Sequence, residues 1–459
     1  MAGRYKAYPE YKDSGVEWVG QMPEHWELLP ARSVVSHIVN KNIDGKVTNY
    51  LSLIANVGVI RYEEKGDVGN KKPDDLTKCK IVKKGQLVIN SMNYSIGSYG
   101  MSPYDGICSP VYIILEPKSD IFVGRYSLRT FENSSFQKHL ATFGNGILEH
   151  RAAINWDHIK GQNIPIPPIW EQNSIAIFLD DEIAKIDMLI SKQQTLISLL
   201  KEKRQSMISH FVTQGLNREV PMKSLGSWWD IKVPQHWETM QNRYLINNIT
   251  QGWSPLADNT PPSIEQVGVT KLSSVKSGQF LQGECKTLHE AVNEMKVVRI
   301  QNGDFLLTRA NTPDLVGDVC VVTNLKHKNI ILCDLIYKIN YSHLVNKKFY
   351  SYFFQSSLGR FQIRLDARGT SMSMAKISQF HIKSWIVVLP PKLEQDEIVR
   401  YLDLNLEKLD KLENKAADAI NILKERNTAL ISAAVTGNID VRHYKASQNI
   451  SHEQMELSS

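Results

Sequence analysis

The chain repeats itself, and this restricts its fold more than any other feature. Pro167-Pro168 is followed by Glu171-Gln172, and Pro390-Pro391 by Glu394-Gln395, 223 positions later. The same offset relates Phe178-Leu179-Asp180 to Tyr401-Leu402-Asp403 and Ile186-Asp187 to Leu409-Asp410. It also relates Leu200-Lys201-Glu202-Lys203 to Leu423-Lys424-Glu425-Arg426, and Val212-Thr213 to Val435-Thr436. A register kept this long without a gap marks a duplicated element of fixed length. Upstream the copies drift. Pro23-Glu24-His25-Trp26-Glu27 matches Pro234-Gln235-His236-Trp237-Glu238 at an offset of 211. Lys84-Gly85-Gln86-Leu87-Val88-Ile89 resembles Asn302-Gly303-Asp304-Phe305-Leu306-Leu307 at 218. Insertions collect in surface loops, where binding residues are also common. Each half reads as a variable globular part and then a rigid part, with the offset of 223 belonging to the rigid part alone.

The rigid parts read as helices. Each begins after a Pro-Pro pair and runs without Gly or Pro to Gly215 or Gly437, the expected punctuation of a helix. Ala176, Leu179, Ile183, Ile186 and Ile190 open a stripe at spacings of three and four that continues to Phe211. Val399, Leu402, Leu406 and Leu409 open its counterpart, which runs to Ala434. This is a heptad seam, and about 42 residues make each helix about 63 Å long. A narrow stripe of that length needs a long partner, and the other copy supplies one. Quasi-twofold symmetry makes the pair antiparallel. Arg204 and Glu413 lie in the seam and are expected to pair across it and fix the register.

The variable parts read as mixed α/β modules. Gln86–Asn90, Val111–Leu115, Ile164–Pro167, Phe305–Thr308, Ile330–Leu332 and Trp385–Leu389 have the character of short strands between turn-forming clusters. Tyr126–Leu140 and Lys347–Leu365 read as single helices. The expected organisation is an N-terminal segment 1–20, a first module 21–166, a first helix 167–215 and a linker 216–233. A second module 234–389, a second helix 390–437 and a tail 438–459 follow.

The sequence carries no recognisable catalytic signature. It has no Gly-rich dinucleotide turn in a strand-to-helix context, no phosphate loop and no zinc-protease helix. The Asn-Pro-Pro-aromatic run of amino-methylating enzymes is also missing. The five cysteines are scattered, with no metal-ligand spacing, and read as free thiols in a reducing compartment. No metal site is expected. No apolar stretch is long enough to span a bilayer, and residues 1–15 lack the apolar run of a signal peptide, so a cytoplasmic location is expected. The excess of 54 basic over 48 acidic residues fits a polyanion partner without requiring one.

Binding chemistry remains. One recurring loop follows a strand and carries Asn90, Asn93 and Tyr94 in the first half, and Arg309, Asn311 and Thr312 in the second. Asn and Arg read adenine and guanine edges through paired hydrogen bonds. A second loop carries Asn145 and Arg151 in one half, and Arg364, Arg368, Thr370 and Ser371 in the other. Its Gly residues allow close backbone approach, and Arg, Ser and Thr suit phosphates. A polar surface turn is the plain alternative for each loop, but matched placement in both halves points to a shared role.

Tyr11-Lys12-Asp13-Ser14-Gly15-Val16-Glu17-Trp18-Val19-Gly20, with Pro23-Glu24-His25-Trp26 after it, resembles the opening of specificity subunits of type I restriction-modification systems. The doubled Pro-Pro-x-x-Glu-Gln is that family's second hallmark, and the resemblance runs from about Tyr8 to Asp440. The second opening departs from the pattern, with Gly226-Ser227-Trp228-Trp229 in place of Gly15-Val16-Glu17-Trp18. The resemblance implies an α+β protein in which two target recognition domains are separated by two long antiparallel coiled-coil helices. It implies that each domain reads one half of a split, asymmetric site in double-stranded DNA. It also implies two modification subunits docked on the helices, with restriction subunits added. S-adenosylmethionine, ATP and magnesium would be bound by those partners and no cofactor by this chain. A fixed helical spacer would hold the half-sites near one turn of DNA apart, ~34 Å. Two other readings stay open on the residues alone: a methyltransferase or nuclease with an unrecognised motif, and a coiled-coil scaffold that does not bind DNA.

Overall fold

The computed structural model describes residues 5–143, 153–226, 231–288, 297–327, 329–367 and 374–444. The chain divides into two compact units. One comprises 1–193 with 418–459, the other 194–417. Each long helix therefore gives part of its length to each unit.

The first unit is built on a four-stranded antiparallel sheet in the order Val35–Ile38, Tyr112–Pro117, Leu87–Asn90, Tyr99–Met101. Side chains of a strand alternate between its faces. Leu87, Ile89, Ile113 and Leu115 accordingly join the core that holds Tyr126, Phe131 and Phe136 of the helices Gly124–Glu132 and Ser134–Ala141. Val88, Tyr112 and Ile114 join a separate core on the other face with Leu51, Leu53 and Val59. Both faces are covered, which explains the unbroken apolar runs in the sequence.

The second unit repeats the order with Ile246–Gln251, Ile336–Tyr341, Phe305–Thr308 and Val319–Val321. Phe305, Leu307 and Ile339 face the helices Lys347–Gln355 and Ser357–Asp366. Leu306 and Ile336 face a further layer. That outer layer differs between units. In the first it is the hairpin Leu51–Ile54/Gly58–Arg61 with the pair Lys80–Val82/Gly106–Cys108. In the second it is the four-stranded sheet Ala257–Asp258, Cys285–Leu288, Gly268–Thr270, Ile330–Ile331.

Matching these elements corrects two expectations. The offset is 211 at Val35/Ile246, 218 at Leu87/Phe305, 220 at Tyr99/Val319 and 224 at Tyr112/Ile336. From Gly124/Lys347 onward it is 223. The fixed block thus starts in the modules, at the helices behind the sheet, and length variation is confined to the outer layer and the strand-connecting loops. The two module helices are also each broken in two. The Asn133 side chain caps Ser135 and Phe136, and the Ser356 hydroxyl caps Gly359. Each cap offers the backbone a local partner that ends one helix and starts the next.

The long helices run Ile169–Gln214 and Lys392–Val435. Ile186 and Leu200 are buried and Ile190, Gln193 and Ile197 half-buried, while Met188, Leu189, Leu196 and Leu199 beside them are exposed. The buried stripe is therefore the narrow seam expected of a coiled coil. Within the second unit Lys201 pairs with Glu413 at 3.5 Å and Arg204 with Asp410. One helix ascends as the other descends, so the pairing is antiparallel. The direct Arg204–Glu413 pair is not among the ion pairs of the described residues. Each takes a partner one turn away, because the two helices meet in a register shifted by three residues.

All five cysteines are free and buried. Burial pushes the thiols upward, Cys285 to about 11 and Cys108 to about 12. Thiolate is the reactive form, so the native chain should show no fast-reacting thiol at neutral pH and five after unfolding. A thiol-reagent titration that finds one within minutes in the native state would contradict this packing.

Candidate nucleic-acid interface

The frame that carries the loops is set by the two duplicated motifs, which meet. Glu171, fully buried, accepts the Tyr8 hydroxyl at 2.5 Å, the Trp26 indole N–H at 3.0 Å and a His25 Nε2 contact at 2.8 Å. Burial first, and then the Glu171 carboxylate, push the Tyr8 phenol far above its usual range, so it stays a donor. The Gln172 amide donates to the carbonyls of Ile121 and Pro167, each at 2.8 Å, and its Oε1 accepts Val123 N–H at 2.9 Å. Gln395 repeats this with Leu344, Pro390 and Asn346. The Glu-Gln dipeptide thus fastens the start of each long helix to its module.

The frame is tied at two further points. Asp180 is gripped by Arg125 and Arg129, and Asp403 by Lys348 and Tyr352, at matching positions of the repeat with different donors. Where a long helix ends, Gly437 adopts φ 78° against Pro23 and Trp26, and Gly215 adopts φ 73° against Trp237. A Cβ at either glycine would come within 3.2 Å of the tryptophan ring, besides being strained at that φ.

On this frame the strand-following loops sit where the repeat offset changes. In the first unit Asn90 is buried and its Oδ1 accepts Met92 N–H at 3.1 Å. Tyr94 is buried and donates its hydroxyl to the Phe131 carbonyl at 2.5 Å. These two build the loop from inside, which corrects the expectation that they face outward to read bases. Asn93 is exposed at its tip, beside exposed Met92. In the second unit Arg309 is half-buried, with its guanidinium 5.7 Å from the Tyr337 ring centroid and a 3.5 Å contact to the Asp334 carbonyl. Asn311 is half-buried, and its Oδ1 accepts Thr312 N–H at 2.8 Å. Thr312 is exposed. Arg364 is exposed on its helix, 3.6 Å from Asp314 of the same loop. The structure therefore brings Arg309, Asn311, Thr312 and Arg364 to one region of the second unit. Asn145, Arg151, Arg368, Thr370 and Ser371 lie outside the described residues.

Glu171, Gln172, Asp180 and their counterparts were not singled out as functional by sequence reasoning. Their signal was the repeat itself, since all share the offset of 223. No group of three or more His, Cys, Asp or Glu side chains that could hold a metal occurs among the described residues. No described helix is long and apolar enough to cross a membrane.

Two modules of one topology, each fastened to a shared antiparallel helix pair and each bearing variable loops, define a duplicated recognition protein. Residues 35–198 match the type I restriction modification DNA specificity domain. The specificity subunit of the type I restriction enzyme EcoKI of Escherichia coli K12 is 25% identical over 444 residues, covering 92% of this chain and 90% of that protein. The StySPI specificity subunit of Salmonella potsdam is 24% identical over 445 residues, with the same coverage. A solved chain from a study of complex assembly and conformational transition of the type I R-M system aligns with a TM-score of 0.63 at 15% identity. It covers 91% of this chain and 99% of that one. Residues 35–198 therefore carry the type I restriction modification DNA specificity domain, and nearly the whole chain is similar to specificity subunits of type I restriction enzymes.

Proposed function

We infer that this chain is the subunit that reads DNA sequence for its restriction-modification complex, one half of a split site per module. The observation that carries the reading is the division of each module. The sheet order, the helices behind it and their fastening to the long helices repeat, whereas chain length and outer layer vary next to the strand-following loops. A conserved frame with two different reading edges suits two different half-sites. In this reading the chain is not itself an enzyme. It works in the cytoplasm, and S-adenosylmethionine, ATP and magnesium are handled by modification and restriction subunits. The long helices serve as spacer and docking platform.

The reading is tested on the methylome of cells that carry the chain with its modification subunits. A split motif is expected. Asn311→Ala or Arg309→Ala should relax one half of it by about 1–3 kcal/mol per lost base contact and leave the other half unchanged. Equal relaxation of both halves, or methylation without a split motif, would overturn it.

A further inference from the structure

The outer layer of the second unit holds a cleft of about 590 Å³. Its lining combines Lys271, Lys276 and Lys286 with Asn311, Leu315 and Asp318 of the strand-following loop. The charges in it are not equally available. Lys271 lies 3.7 Å from Glu284, which also accepts the Ser273 hydroxyl at 2.7 Å. Asp318 has both carboxylate oxygens committed, one to Val319 N–H at 3.0 Å and one to Ser277 N–H at 2.9 Å. Lys276 and Lys286 make no ion pair with any described residue. Asn311 has its oxygen occupied by Thr312 N–H, which leaves its amide N–H groups pointing to no acceptor among the described residues. Of the cations lining the cleft, the two outside any ion pair among the described residues are therefore Lys276 and Lys286, although Lys276 also acts at longer range on Glu284 and Asp318.

The donors are also held in place. Lys276 ends the strand Val275–Lys276, which returns as Gln279–Phe280 through Ser277 at φ 47° and Gly278 at φ 84°. Two such residues make the two-residue turn that matches strand twist. Gly278 N–H bonds the Val319 carbonyl at 3.0 Å, fixing the hairpin to the central sheet. Lys286 lies on Cys285–Leu288, inside the outer sheet.

We propose that this cleft is the seat of the DNA backbone on the second module, with Lys276 and Lys286 on phosphates and Asn311 beside them toward the base edges. It rests on the DNA-reading function inferred above and adds which face of the module meets the duplex. Phosphate contacts fix register without reading sequence, and neighbouring amides then specify. The cleft belongs to the outer layer that differs between the modules, so the first module must seat its half-site with other residues.

The test uses the complex with its modification subunits, a duplex carrying the methylome-defined site and a scrambled duplex, each measured across a salt series. Each phosphate contact contributes about 0.9 to the slope of log affinity against log salt. Lys276→Ala with Lys286→Ala should lower that slope by about 2 on both duplexes, and the paired arginine variants should restore it. An unchanged slope in the alanine variant, beside a steep one in the parent complex, would overturn the cleft and leave the reading function standing. A parent complex with no salt-dependent duplex binding would overturn the reading function itself. Tight binding of ATP or inorganic phosphate without DNA, lost in the same variant, would make the cleft a small-anion site and overturn the proposal. Melting curves should coincide for parent and variants.

Discussion

Replacing Glu171 with alanine should lower the melting temperature of the first unit by about 10 °C, while the same change at Glu394 costs only a few degrees. The two residues share a position in the repeat and the same dipeptide, but not the same surroundings. Glu171 is fully buried and collects Tyr8, Trp26 and His25. Its removal leaves an indole N–H and a phenol in the interior without an acceptor. Leaving a buried donor without its acceptor costs about 1–3 kcal/mol for each group, and about 2–4 °C accompanies each kcal/mol in a domain of this size. Glu394 is partly open to water, and its contact is His236 at 2.8 Å, itself 45% exposed. The Trp237 indole N–H is buried with no hydrogen-bond partner among the described residues even in the parent chain. Where Tyr8 stands in the first half, the repeat places Glu219, which is exposed. An exposed pair of this kind contributes about 0–1 kcal/mol. Differential scanning calorimetry of the two variants decides the matter. Equal losses would mean that the Glu171 donors are not what fastens the first module.

This asymmetry shows what the sequence makes legible. The Pro-x-His-Trp and Pro-Pro-x-x-Glu-Gln motifs stand out because each occurs twice. That they touch does not stand out, since 145 positions separate Trp26 from Glu171 and no local pattern encodes the contact. The long helices are legible to within a few residues, because Pro, Gly and a heptad stripe are local signals. Their register is not. The seam offers Arg204 and Glu413, but Asp410 and Lys201 lie one turn away with the same charges, and only packing chooses between them. The loops divide the same way. Their position follows from the drift in offset. Which of their side chains point outward does not, since Asn90 and Tyr94 have the residue types of readers and the burial of core. Lys276 and Lys286 escape notice because neither half repeats them.

If two modification subunits dock on the long helices, as the proposed function implies, assembly should fall from two to one when a single pair of exposed apolar residues on those helices is made acidic. The repeat places exposed apolar side chains at equivalent positions: Trp170 and Leu393, Leu189 and Leu412, Leu199 and Ile422. All six are between 44% and 79% exposed, although the buried seam lies beside them. Scattered exposed leucines need no explanation, but exposure conserved through a duplication does. The register sharpens the argument. In the first unit the Glu182–Arg426 pair brings Leu189 of one helix within about one turn of the level of Ile422 on the other. In the second unit the Lys201–Glu413 pair does the same for Leu412 and Leu199. Each unit thus offers the same apolar pair, as two copies of one partner require. Leu189→Asp with Ile422→Asp should release one modification subunit, and Leu412→Asp with Leu199→Asp the other, as read by native mass spectrometry. Burying a carboxylate in an apolar contact costs several kcal/mol, enough to empty a micromolar site. The chain's own melting temperature should not move, because these side chains are exposed before the partner arrives. Retention of two modification subunits by either variant would place the docking surface elsewhere. Loss of both subunits from one variant would show that the two sites are coupled rather than duplicated.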